Sequence, residues 1–145
     1  MTYRISRDSR ALYKSVADGW KGAGFSLWDY YYMCAMTGMS NRRVSSEART
    51  VEFSKTVDRP YNGVMGEMAA ALVSSEIERR GIGYSRDTIT DLFTRLTDAA
   101  EGFSEEGRAL MNHYAEGGFQ IIRSSGEAPS NPAEFVLLCQ RLSSR

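Results

Sequence analysis

The side chains suited to chemistry are few in this chain, and their spacing limits what they can do. His113 is the single histidine, and Glu116 follows it by three positions. On a helix those two share a face and have the reach to hold one metal ion. No second histidine or suitably spaced cysteine completes a ligand set, and a histidine triad would need partners that the sequence does not set beside it. Cys34 and Cys139 are the only thiols, and a cysteine-type zinc site needs three or four. Gly81-Ile82-Gly83 lacks the third glycine of a dinucleotide fingerprint. No phosphate-loop lysine motif and no G-x-S-x-G elbow occur. The acid pairs Glu76/Glu78 and Glu105/Glu106 read as solvated helix faces rather than a general acid and base. No catalytic residue, metal ligand or cofactor site is therefore expected, and the chain reads as a non-enzyme.

One stretch remains a candidate for binding. Arg42, Arg43, Arg49, Lys55 and Arg59 follow a helix and are interleaved with Ser and Thr. Arginine beside hydroxyls is what phosphate contact requires, and loops on a rigid scaffold commonly carry binding residues. The competing reading is a solvated loop with local ion pairs to Glu47, Glu52 and Asp58. Tyr30, Tyr31 and Tyr32 suggest base stacking. On a helix, though, consecutive residues point about 100° apart, so the three cannot form one platform. One or two belong in the core, and the third sits at an interface with its phenol end wet.

The elements that would position these residues are helical. Asp8 or Ser9 caps a first helix running to about Trp20, with Leu12, Val16 and Trp20 as its apolar stripe. Gly22 and Gly24 form the turn, and Ser26 with Asp29 resembles a capping box for a second helix ending near Gly38. That helix is apolar on nearly every face, so it must be buried in the domain or against another chain. Trp28, Tyr32, Met36 and Met39 are its candidate partner interface. Residues 49–54 alternate polar and apolar and suggest a short strand or extended arm. A long helix covers about Tyr61 to Arg80, closed by Arg79, Arg80 and Gly81. Another starts at Ser85 or Asp87 and closes at Gly102, and Ser104 caps the next. Gly117-Gly118 either ends that helix or permits close backbone contact. Asn131, Pro132 and Glu134 open the last helix as cap, first-turn proline and acid at N3. The expectation is one mostly α domain, a compact bundle of five or six helices with at most a minor strand or extended arm.

Bulk properties fit that picture. A chain of 145 residues buries a sizeable core without disulfides or metal, so both cysteines are expected as small buried hydrophobes. No apolar run is long enough for a membrane span, and the charged start MTYRISRDSR lacks a signal core. A cytoplasmic location is expected. Net charge is zero, but residues 1–60 hold ten basic and six acidic side chains, so that part is about +4 and the rest about −4. This balance does not imply tight non-specific nucleic-acid binding.

Two segments carry a family resemblance. One is Tyr32-Met33-Cys34-Ala35-Met36-Thr37-Gly38-Met39 with Arg42 and Arg43 beyond it. The other is Tyr114-Ala115-Glu116-Gly117-Gly118-Phe119-Gln120-Ile121-Ile122. In this order the chain resembles the DNA phosphorothioation-associated protein 4 family, small proteins encoded beside DNA sulfur-modification and restriction systems. Residues 44–105 match only as helix-forming chain. The resemblance implies a prokaryotic accessory protein in anti-phage defence, with DNA or a DNA-processing complex as partner and no catalytic residues to transfer. A structural oligomer or adaptor without nucleic-acid contact is the alternative.

Overall fold

The computed structural model describes residues 2–46, 49–99 and 102–144. Among them lie six helices and two small antiparallel strand pairs, so the fold is mostly α. The elements run β1 (Tyr3–Ser6), α1 (Arg7–Asp18), α2 (Leu27–Ser40), β2 (Thr50–Ser54), α3 (Met65–Arg80), α4 (Arg86–Leu96), β3 (Thr97–Asp98), β4 (Gly102–Phe103), α5 (Glu105–Ser124) and α6 (Pro132–Ser143).

Local signals set most helix ends. Ser26 accepts from the Asp29 amide while Asp29 accepts from the Ser26 amide, which closes the capping box at the start of α2. Asn131 caps α6 and Pro132 opens it, as expected. Gly81 ends α3 with φ 66°, a left-handed conformation that costs glycine little. The fourth helix stops earlier than expected. It ends at Leu96, and residues 97–98 pair with 102–103 instead of extending the helix to Gly102. Ser104 then caps α5, and its amide donates to the Leu96 carbonyl.

The centre of the domain is the packing of α2 on α5. Gly117 and Gly118 do not interrupt α5, which runs unbroken from Glu105 to Ser124. They serve close approach instead. A Cβ on Gly118 would overlap the Cys34 carbonyl of α2, and one on Gly38 would overlap the Tyr114 carbonyl of α5. Gly117 meets the Arg43 carbonyl in the same way. Bare backbone on both sides lets the two helices nest, which larger side chains would prevent. Around this contact lie Tyr30, Tyr31, Cys34, Ala35, Met111, Tyr114, Phe119 and Ile122, all buried. Cys139 joins them, and both thiols are buried and free.

The extended segment at residues 50–54 finds its partner at the start of the chain. β1 and β2 pair antiparallel, with Ile5 opposite Val51 and Ser6 opposite Thr50. An edge-to-face aromatic cluster of Tyr3, Trp28, Tyr31 and Phe53 ties this ribbon to α2, with ring centroids 4.8–6.0 Å apart.

Burial corrects two sequence-based expectations. Trp28 and Met39 are only 3% exposed within the single chain, so neither has a face to offer a partner. The apolar helix they belong to is consumed by the domain's own core. Glu76 is also not on a solvated face. It is fully buried, accepting from Arg79, Arg80 and the Tyr114 hydroxyl. A charge off water needs such partners.

Candidate functional site

The five basic residues singled out from the sequence do not gather into one patch. Arg42 closes α2 in a left-handed conformation (φ 50°), and its guanidinium pairs with Glu78 of α3. Arg43 is exposed, its backbone held by Gly38 and packed on Gly117. The chain then follows α5, where the Ser45 amide donates to the His113 carbonyl at 3.0 Å. Arg49 is exposed at the start of β2, and Lys55 is exposed just past its end. Six extended steps separate those two, about 20 Å. Arg59, also exposed, lies on a 3-10 turn over Arg59–Val64 whose Tyr61 hydroxyl bonds Asp29. Of the acids named as local partners, Glu47 lies outside the described residues, and Glu52 stands opposite Arg4 across the ribbon.

A cation that the sequence reading left aside joins Arg49. The Arg7 amide donates to the Arg49 carbonyl at 3.4 Å, and both side chains are exposed. Arg10 is exposed one turn further along α1. The Arg7 and Arg49 backbones thus meet from segments about 40 positions apart, with Arg10 one turn along α1.

Beside this cluster is a cavity of about 200 Å³ lined by β1, the first turn of α1, α2, β2 and α5. Its floor is buried: Ser6, Ser9, Tyr30, Tyr31, Cys34 and Glu116. Its rim is partly or wholly exposed: Arg4, Ser45, Thr50, Asn112 and His113. Asn112 is the junction. Its Oδ1 accepts from the Arg4 amide at 3.1 Å and from the Tyr31 hydroxyl at 2.7 Å, and its Nδ2 donates to the Thr2 carbonyl. Arg4 reaches across the ribbon, donating from Nε to the Thr50 hydroxyl at 2.9 Å and from Nη2 to the Thr50 carbonyl at 3.0 Å. The Tyr30 hydroxyl meets Ser9 Oγ at 2.9 Å, and Glu116 accepts from Gln120 at 3.0 Å.

Burial sets the protonation states on the floor. It raises Tyr30 and Tyr31 well above the usual phenol range, so both remain neutral O–H groups. It also raises Cys34 well above the usual thiol range, with nearby Cys139 adding to the shift, and it lifts Cys139 to about 11. A thiol attacks as thiolate, so neither cysteine is activated as a nucleophile. His113 is exposed at the rim while Glu116 is buried below it. Among the described residues, no group of three or more His, Cys, Asp or Glu side chains gathers to hold a metal ion.

Of the residues assigned to a partner interface, Tyr32 and Met36 remain half-buried. The Tyr32 ring lies 5.2 Å from Tyr61, which narrows what it presents. Sequence reasoning missed Arg4, Arg7, Thr50 and Asn112. The contacts that assemble them span 42 to 108 positions of chain, and no short-range pattern announces them.

The arrangement defines a small helical bundle edged by a two-stranded ribbon, with a cavity whose rim carries Arg4, Asn112 and His113. No protein-family model, curated protein or solved structure matches the chain. Among the described residues no helix is long and apolar enough to cross a membrane.

Proposed function

We propose that this chain is a non-enzymatic accessory protein of a prokaryotic DNA-modification or anti-phage defence system. It contacts DNA weakly through phosphates while docking on a larger protein. The observation that carries the reading is the backbone meeting of Arg7 with Arg49, both exposed, with Arg10 exposed one turn along α1. The family resemblance supplies DNA as the polyanion. Arg42 plays a smaller part, since Glu78 already neutralises it. Lys55 and Arg59 lie beyond the far end of β2 and reach only a longer duplex.

Fluorescence anisotropy with labelled duplex at several salt concentrations tests this. Each phosphate neutralised contributes roughly 0.9 to the log–log salt slope on duplex DNA. The double substitution Arg7→Ala/Arg49→Ala is expected to flatten that slope by about two, and Arg42→Ala by much less. An unchanged slope in the double variant would remove this surface from the reading.

The alternative, an adaptor or oligomer without DNA contact, is favoured by Trp20 and Leu137. Their side chains are large and apolar yet 56% and 65% exposed. Absence of binding at low salt, together with a concentration-dependent mass in light scattering, would decide for it.

A further inference from the structure

The exposed cations of this chain fall into two kinds. Arg123 pairs with Asp8, Arg141 with Glu127, Arg95 with Glu106 and Arg42 with Glu78. Arg7, Arg10 and Lys14 are exposed as well, yet among the described residues their side chains make no hydrogen bond or ion pair. All three belong to α1. At about 100° per residue they stand within an arc of about 60°, on the side away from the buried Ser9 and Val16. From Arg7 to Lys14 the row rises about 10 Å along the helix axis. Asp8 lies about 100° round from Arg7 and is held by Arg123.

The same helix leads to an exposed aromatic ring. Trp20 stands two positions past Asp18, and its amide donates to the Ala17 carbonyl at 3.3 Å. That bond keeps the turn going, so Trp20 lies about 9 Å beyond Lys14 along the axis. Its side chain is 56% exposed. Asp18, exposed one turn after Lys14, turns phosphate away and ends the row, and Lys21 is the next exposed cation. Tyr84 is as exposed as Trp20, but its hydroxyl meets Ser74 and Glu78. The cations at that end of α3, Arg79 and Arg80, are bound to Glu76. Only on α1 does a row of unpaired cations among the described residues lead to an exposed ring.

These two features ask for a polyanion that also offers aromatic faces. Cations on a helix surface neutralise phosphates and release their counterions, whatever the form of the strand. A ring asks for more. In a duplex the base faces are covered by their neighbours in the stack, whereas a single strand can lay a base on an aromatic side chain. We propose that α1 binds a single strand of DNA, with phosphates on Arg7, Arg10 and Lys14 and one base on Trp20. This rests on the DNA reading above and names the form of DNA it takes. Neither contact touches a base edge, so the site is indifferent to sequence.

The test compares a short labelled oligothymidylate with the same strand paired to oligoadenylate, by fluorescence anisotropy at several salt concentrations. The single strand is expected to bind at least fivefold more tightly. Trp20→Ala is expected to remove that preference without changing the salt slope, because stacking releases no counterion. Arg10→Ala/Lys14→Ala is expected to flatten the single-strand slope by about 1.4, at roughly 0.7 for each phosphate. All three side chains are exposed, so neither variant disturbs the core. Intrinsic fluorescence gives a second measure. Trp28 is buried, so quenching by the single strand reports Trp20, the other of the two tryptophans. Equal or tighter binding of the duplex, or unchanged single-strand binding in Trp20→Ala, would overturn the single-strand assignment and leave the phosphate reading in place. Tighter binding of an oligouridylate would make the strand RNA and overturn DNA as the ligand. No binding of either DNA form at low salt would overturn the DNA reading itself.

Discussion

Gly118→Ala is expected to destabilise the protein by about 3 kcal/mol, at the upper end of what overpacking usually costs. In an isolated helix the same change would gain about 1 kcal/mol. The difference is the neighbour. A Cβ at Gly118 would overlap the Cys34 carbonyl and crowd the Gly38 amide. Those atoms are backbone of α2, so no rotamer change relieves the clash, and the two central helices must separate along their length. For a domain of this size that loss corresponds to a fall of about 10 °C in melting temperature. Gly66→Ala provides the contrast. Gly66 lies in the first turn of α3 with nothing within 4 Å of an added Cβ. It should be neutral or gain up to about 1 kcal/mol through lower entropy of the unfolded chain. Urea denaturation of both variants checks the pair. Equal effects would mean that the α2–α5 contact is looser than described.

Glu76→Gln is expected to cost about 3 kcal/mol, in the range for breaking a buried charged pair. The carboxylate joins Arg79 and Arg80 on its own helix to Tyr114 on α5, at 2.7–2.9 Å. Burial alone would raise its pKa. The bonds from Arg79 and Tyr114, with the charges of Arg79 and Arg80, more than offset this and hold it below the ordinary 4.5. The sign of the pH dependence follows. A carboxylate titrating lower in the folded state contributes its full stability above its unfolded value and loses it as pH falls through the folded one. Parent stability should therefore fall as pH drops below about 4.5, and the Glu76→Gln curve should be flatter there. Glu78, lowered by bonds from Tyr84 and Arg42, is exposed. It acts alike in both proteins and cancels in the difference. Parallel curves would show that Glu76 is not the group responsible. Tyr114→Phe removes one of its bonds and should cost about 1–2 kcal/mol.

What could be read along the chain was whatever is decided within one helical turn or one strand step. The Ser26–Asp29 box, the Asn131-Pro132-Glu134 start and the Arg79-Arg80-Gly81 stop each act over three or four residues, and each lies where it was expected. Cap chemistry and apolar period together give five or six helices and the mostly α class, though α1 is capped by Ser6 rather than Asp8 or Ser9 and α3 starts at Met65 rather than Tyr61. They also suggest an extended segment over residues 49–54, because alternation is a property of neighbours, and β2 occupies Thr50–Ser54 of it.

Tertiary structure decided everything that needed a second segment. The strand's partner is four residues near the start of the chain. Gly117-Gly118 was compatible with a helix end or a close contact, and only the backbone of α2 chooses between them. Glu76 looks like a surface acid until Tyr114 arrives from α5. Trp28 and Met39 look free to meet a partner until the ribbon and the other helices cover α2. The cavity is the extreme case, since Arg4, Tyr31 and Asn112 meet across 81 to 108 positions of chain. Local pattern carries the energy of caps and periodic burial, whereas a site depends on which surfaces finally touch. That is a property of the packed bundle and not of any stretch within it.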